Sequence, residues 1–218
     1  MNKQEITEKT AQYARETLEG EGSGHDWWHI YRVWKMAQHI GQKEKADMFV
    51  VELAALLHDI ADWKAHDGDD TVGPRVARQW LEAQGGVEEE VISHVCTIIK
   101  EVSFKGAKVA TRMSTIEGEI MQDSDRLDAM GAIGIARAFT YGGSKGRGMY
   151  DPEVKSQLHE SFEQYKNNNG TTINHFYEKL LLLKDLMNTK TGKEIAQGRH
   201  VVMENFLKEF FDEWDGKA

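Results

Sequence analysis

Leu56-Leu57-His58-Asp59-Ile60 joins the most apolar segment of the chain to two polar side chains. The apolar run behind it contains Val50, Val51, Leu53 and Ala54, and the pattern over 45–60 predicts a helix that is apolar all round and therefore central. An adjacent His and Asp at the end of such a helix are costly unless they are partnered. A divalent metal is a good partner, because imidazole nitrogen and carboxylate oxygen together suit Mn, Fe, Co, Ni or Zn. Mg is a further candidate.

Helical patterns surround this run on both sides. Residues 3–19 repeat apolar positions up to Gly20. Asp26 is placed to cap a helix with Trp27, Ile30, Val33, Trp34, Ala37 and Ile40 on its apolar face, closed by Gly41. After a charged, irregular segment over 61–71, Thr71 and Pro74 open a helix that runs to Gly85-Gly86. Residues 88–102 and roughly 114–140 repeat apolar residues every three or four positions. Gly142-Gly143-Ser-Lys-Gly-Arg-Gly148 reads as a flexible loop and 153–167 as a polar helix broken by Asn167-Asn-Asn-Gly170. Helices over 172–188 and 191–214 finish the chain. Two prolines in 218 residues leave little to interrupt helices, and nothing reads as a strand.

Lys plus Arg number 27 against 36 Asp plus Glu, for a net charge of −9. That balance argues against nucleic acid as partner, since a broad basic footprint is missing. A phosphorylated ligand is then held only where a metal or a local basic cluster reverses the field. The single cysteine, Cys96, excludes an intramolecular disulfide, and its apolar neighbours Val95, Ile98 and Ile99 make it a core thiol. The polar start MNKQEITEKT carries no signal segment, and no apolar run approaches the roughly 20 residues needed to span a bilayer. A cytoplasmic protein with no membrane partner is the expectation. The C-terminal face at Phe206, Phe210 and Phe211 suits either the core or a second subunit of a homodimer.

Two more ligands for His58 and Asp59 should come from helices facing theirs. His29 stands one turn before Val33 on the apolar side of its helix. Asp125 is read as starting a helix after Ser124 whose inward face is Leu127, Met130 and Ile133. A set of two His and two Asp leaves coordination positions for water and substrate. Each residue also has a plain structural reading: a core histidine for His29, a helix-end pair for His58-Asp59, and an acidic first turn favoured by the helix dipole for Asp123, Asp125 and Asp128.

The order His29, His58-Asp59, Asp125 resembles the HD superfamily of metal-dependent phosphohydrolases. His25-Asp-Trp-Trp-His29, Leu57-His-Asp-Ile60, Asp123-Ser-Asp-Arg-Leu-Asp-Ala129 and His175-Phe-Tyr-Glu-Lys-Leu180 resemble more narrowly a small bacterial subgroup, the YpgQ/YedJ-like proteins. The likeness covers about residues 24 to 214. It implies a single all-helical HD-type domain over 1–218, with a core at about 24–140 and C-terminal helices over 153–214 packed on it. It also implies one divalent metal on His29, His58, Asp59 and Asp125, the last selected over Asp123 because the family's ligand directly precedes the Arg-Leu pair. Hydrolysis of phosphoester or phosphoanhydride bonds is implied, with nucleotides, and foremost (deoxy)nucleoside triphosphates, as substrates. Dinuclear relatives on this scaffold need extra histidines between the His-Asp pair and the last Asp, where only His66 and His94 stand here.

Asp62, four residues after His58, is the candidate catalytic acid or base if the helix continues. Its plain reading is a solvated charge. Lys64, His94, Lys145 and Arg147 are the candidate substrate-binding residues, the last two from the Gly-rich loop. Trp27 suits either base stacking or the core. A regulatory HD module that binds a nucleotide with little turnover is the alternative from a different class.

Overall fold

The computed structural model describes residues 2–20, 24, 26–61, 69, 71–102, 112–157 and 170–217, and among these there are helices and turns but no strand. The all-α expectation holds. None of the described helices is long and apolar enough to cross a membrane. The chain divides into two compact units, Met1–Phe104 with Thr111–Ser124 and Lys105–Ala110 with Asp125–Ala218.

The first unit contains α1 (Lys3–Thr17), α2 (Trp27–Glu44), α3 (Met48–Leu57), α4 (Val72–Gln84), α5 (Glu89–Val102) and most of α6 (Ile116–Asp128). Helices α1, α2 and α5 all pack on α3, and Val51, Leu53, Ala54, Ala55, Leu56 and Leu57 are fully buried. Each large apolar side chain among them contributes roughly 1.5–3 kcal/mol, so α3 is held centrally although it ends on polar residues. Its one charge, Glu52, accepts hydrogen bonds from Trp34 Nε1 and Gln38 Nε2, both at 2.8 Å, and so ties α3 to α2.

Several boundaries differ from the sequence pattern. Helix α2 does not close at Gly41 but runs to Glu44 and ends on Lys45 at φ 59°. A Cβ on Gly41 would lie 2.7 Å from Met48 Sδ, so this glycine admits α3 and does not stop α2. Helix α3 starts at Met48, capped by the Asp47 carboxylate, and ends at Leu57, so it does not continue through Ala61. Asp62 and Lys64 lie outside the described residues, as does His66. The single pattern over 114–140 is two helices. N–H groups of Ala129 and Met130 turn back to the carbonyls of Arg126 and Leu127, closing α6, and α7 begins anew at Gly131. Ile133, expected on the inward face of Asp125's helix, is therefore 44% exposed.

The second unit contains α7 (Gly131–Ser144), α8 (Thr172–Glu178), a 3-10 segment (Leu180–Leu186) and α9 (Lys190–Trp214). The expected helix over 172–188 is thus split, and most of the expected helix over 153–167 lies outside the described residues. Helix α9 packs on α7 and on the 3-10 segment. Phe206 meets Phe139 and Phe176 at ring distances of 5.9 and 5.7 Å, and Tyr150 meets Phe210 and Phe211. The C-terminal aromatic face therefore packs inside its own unit. Gly142–Ser144 are the last turn of α7, not a loop. A Cβ on Gly142 would stand 2.3 Å from Thr172 Oγ1, so this glycine lets α8 approach.

His175 on α8 is partly buried. Burial first, then the charges of Lys179 and Arg147, bring its imidazole down to about 3. In the unfolded chain the same ring titrates near ~6.5. The unfolded state thus holds the extra proton between these values, so stability is complete above the unfolded value and declines as pH falls through the window. The limiting slope is about 1.4 kcal/mol per pH unit, and the ring's remaining exposure keeps the loss below it. Denaturant unfolding at near-neutral pH and about two units lower should show this decline in the parent and a flatter one in His175→Gln. Equal slopes in the two proteins would refute the assignment.

Candidate metal centre

The site begins with helix ends. The Asp26 carboxylate caps α2 by accepting the His29 N–H at 2.9 Å, which fixes the first turn. His29 then lies on the buried side with Ile30 and Val33 and is itself fully buried. His58 follows the last residue of α3 with the backbone still right-handed helical, and it too is buried. Its Nδ1–H donates to the Ala55 carbonyl at 2.9 Å. A carbonyl only accepts, so the proton of the neutral ring is on Nδ1 and Nε2 carries the lone pair. A backbone carbonyl that sets the tautomer in this way is the usual support of a metal-binding imidazole.

That Nε2 faces His29 Nε2 at 3.3 Å, with the rings edge to face. Asp59 Oδ2 is 3.5 Å from each of the two nitrogens. His29, His58 and Asp125 each offer a donor atom within 4.8 Å of the other two. Donors about 2.1 Å from one shared ion stand about 3 to 3.5 Å apart around it. His29, His58 and Asp59 match that spacing, Asp125 lies within the wider 4.8 Å, and the donor chemistry suits a divalent ion.

Asp125 reaches this group on α6, one residue beyond Ser124 on a continuous helix. It does not start a helix. Asp123, Asp125 and Asp128 lie in the last turns of α6, where the helix dipole opposes negative charge. The reading of these acids as a favourable first turn is thereby corrected, because carboxylates here need cations. Asp128 has one, Arg137 Nη1 at 2.7 Å. Arg199 caps the Leu127 carbonyl, and burial lowers its pKa against the opposing effect of Asp128. Arg126 donates to the Leu186 carbonyl. No pattern in the sequence marked Arg137 or Arg199 as supports of this helix end.

Other expected residues are placed elsewhere. His94 Nε2 is 2.8 Å from Thr115 Oγ1 and 3.8 Å from Glu117 Oε2, so it ties α5 to the start of α6. Lys145 and Arg147 stand in the second unit, at and just beyond the end of α7. Trp27 is half-buried with its ring 6.1 Å from that of Tyr31. Cys96 is half-buried, not fully buried as expected. Its Sγ–H donates to the Pro74 carbonyl, and burial pushes the thiol up, which makes it a poor nucleophile.

Comparison with known proteins adds to this geometry. Residues 27–130 match the HD domain family model. The YpgQ protein of Bacillus subtilis is 42% identical over 204 residues, covering 93% of this chain and 90% of its own. A solved HD-superfamily hydrolase from Bacillus thuringiensis is 45% identical, with a TM-score of 0.77 over 98% of this chain and 99% of that one. The structure of Bacillus subtilis YpgQ in complex with ADP is 36% identical, with a TM-score of 0.75 over 97% of this chain and 100% of that one. With a family model matching over residues 27–130 and a relative this similar along nearly its whole length, the chain belongs to the HD-domain family.

Proposed function

We propose that this chain is a metal-dependent phosphohydrolase that acts on nucleotides, foremost nucleoside triphosphates. The observation that carries this reading is the convergence of His29 Nε2, His58 Nε2 and Asp59 Oδ2 within 3.5 Å of one another, joined by Asp125. A relative of this chain binding ADP supports the nucleotide part, and the net charge of −9 favours a small ligand over a nucleic-acid backbone, where each contact needs Lys or Arg.

In this reading His29, His58, Asp59 and Asp125 hold one divalent transition metal. Such an ion supplies Lewis acidity toward a phosphoryl oxygen and acidifies a nearby water. The chain's own residues do the rest. The Ala55 carbonyl keeps the His58 lone pair directed at the site, and the two aspartates set its charge. Asp62 positions the attacking water and takes its proton, while Lys64, His94, Lys145 and Arg147 are the proposed contacts to the substrate.

Asp59→Ala should lose divalent metal while keeping its far-UV circular dichroism, because one of the two carboxylates is removed from a set exposed to solvent on one side. Metal content is read by elemental analysis after dialysis. Full occupancy in the variant would remove Asp59 from the ligand set.

Turnover should be screened with the manganese-loaded protein against nucleoside mono-, di- and triphosphates and simple phosphoesters, with the products identified. Triphosphates should be the preferred substrates. Asp62→Asn should keep the metal and lose about a hundredfold in rate, the usual contribution of a positioned acid or base. A rate within about twofold of the parent would make Asp62 a bystander, and a metal-loaded parent inactive on the whole panel would make the protein a regulatory nucleotide-binding module.

A further inference from the structure

Asp125 stands in the last turn of α6, where no further turn of helix holds the backbone. Three residues follow it in α6, and each is tied to a different segment of the second unit. Arg126 donates to the Leu186 carbonyl in the 3-10 segment. The Leu127 carbonyl accepts from Arg199 of α9. The Asp128 carboxylate accepts from Arg137 Nη1 of α7 at 2.7 Å. The corner that brings α7 back toward α6 is tight. Gly131 turns it at φ 68°, and a Cβ on Gly134 would stand 2.3 Å from the Ala129 carbonyl oxygen. The stem of Arg199 lies against the same corner, where a Cβ on Gly131 would be 3.0 Å from its Cγ.

The Asp128–Arg137 pair is largely withdrawn from water, with 4% and 25% of the two side chains exposed. Desolvating such a pair costs about as much as its attraction returns, so it adds little net stability. What it fixes is geometry. Asp125 and Asp128 are i and i+3 on one helix and so share a face, and a shift of the last turn that broke the bond to Arg137 would move Asp125 as well. The helix dipole opposes both carboxylates, so the turn opens toward water more readily once Arg137 is gone. Arg137 therefore acts on a bound divalent ion in two opposite senses. Its charge repels the ion through space, while its hold on Asp128 keeps the Asp125 oxygen in place. The paired charges of Arg137 and Asp128 largely cancel at longer range, which leaves the positional effect as the larger.

We propose that Arg137 is a positioning residue of the metal centre: by holding Asp128 it fixes the last turn of α6 and the aim of the Asp125 carboxylate, so that removing this cation weakens the binding of a cation. The inference rests on the metal-centre reading above, with Asp125 as one of the ligands.

Calorimetric titration of manganese into the full-length, chelator-treated protein tests this without any turnover, at a temperature well below the melting midpoint of each variant. Arg137→Met should weaken manganese binding about tenfold, the lower end of what the loss of an outer support costs a metal site. A through-space effect alone would tighten it, because a positive charge is removed. Arg137→Lys, which keeps the charge and a donor, should stay within about threefold of the parent. Arg137→Met combined with Asp128→Asn has the same net charge as the parent and leaves neither side chain as an unpaired buried charge. It should still bind manganese more weakly than the parent, and it carries the test if Arg137→Met alone does not fold. Parent-like or tighter binding by Arg137→Met, or parent-like binding by the combined variant, would overturn the inference and leave the metal centre standing. A parent that takes up no manganese would overturn both.

Discussion

The hydrogen bond from His58 Nδ1 to the Ala55 carbonyl, at 2.9 Å, is the small constraint on which the candidate centre depends. It exists because α3 is buried on all sides and delivers His58 at its end with the backbone still helical. The ring is thereby locked in one tautomer, with its lone pair turned toward His29 and Asp59. Burial of apolar area thus fixes a polar geometry. The side chains that hold α3 in place are apolar, while the atoms that converge at its end are nitrogen and oxygen.

The same centre draws on an unfavourable helix end. Three carboxylates crowd the C-terminal turns of α6, where the dipole adds negative potential. The acids are tolerated through specific partners: Arg137 answers Asp128, and Arg199 answers the Leu127 carbonyl. Asp125 differs in that its oxygen meets two histidine nitrogens within 4.8 Å. A carboxylate and two imidazoles that meet at the end of a helix offer their donor atoms to one ion. That convergence supports metal binding independently of the motif order.

The second unit follows a different physical rule. Its segments are joined by close backbone approach, with Gly142 opposite Thr172 and the Gly148 and Met149 carbonyls bonded to the start of α8. Burial, with the charges of Lys179 and Arg147, lowers the pKa of His175 there to about 3. Its motif, His175-Phe-Tyr-Glu-Lys-Leu180, was visible in the sequence but suggested no role, because nothing local to those residues shows what packs around them.

What the chain alone determined is what short-range physics encodes. The 3.6-residue apolar period marked α2, α3, α4 and α5, and Asp26 announced the cap of α2, because both effects act within one or two turns. Donor types and their order along the chain were equally legible, since a His-Asp pair closing an apolar helix is anomalous without a partner. Tertiary structure decided the rest. Gly41 read as a helix end and Gly142 as part of a flexible loop, yet each lies inside a helix where a neighbour comes close, and a glycine's local freedom cannot say which use it serves. The apolar repeat over 114–140 ran through the break between α6 and α7, because both helices bury a face and the period alone carries no end signal. Whether His29, His58, Asp59 and Asp125 meet within a few ångströms depends on how separate helices pack, and distances between segments far apart in sequence are set only there.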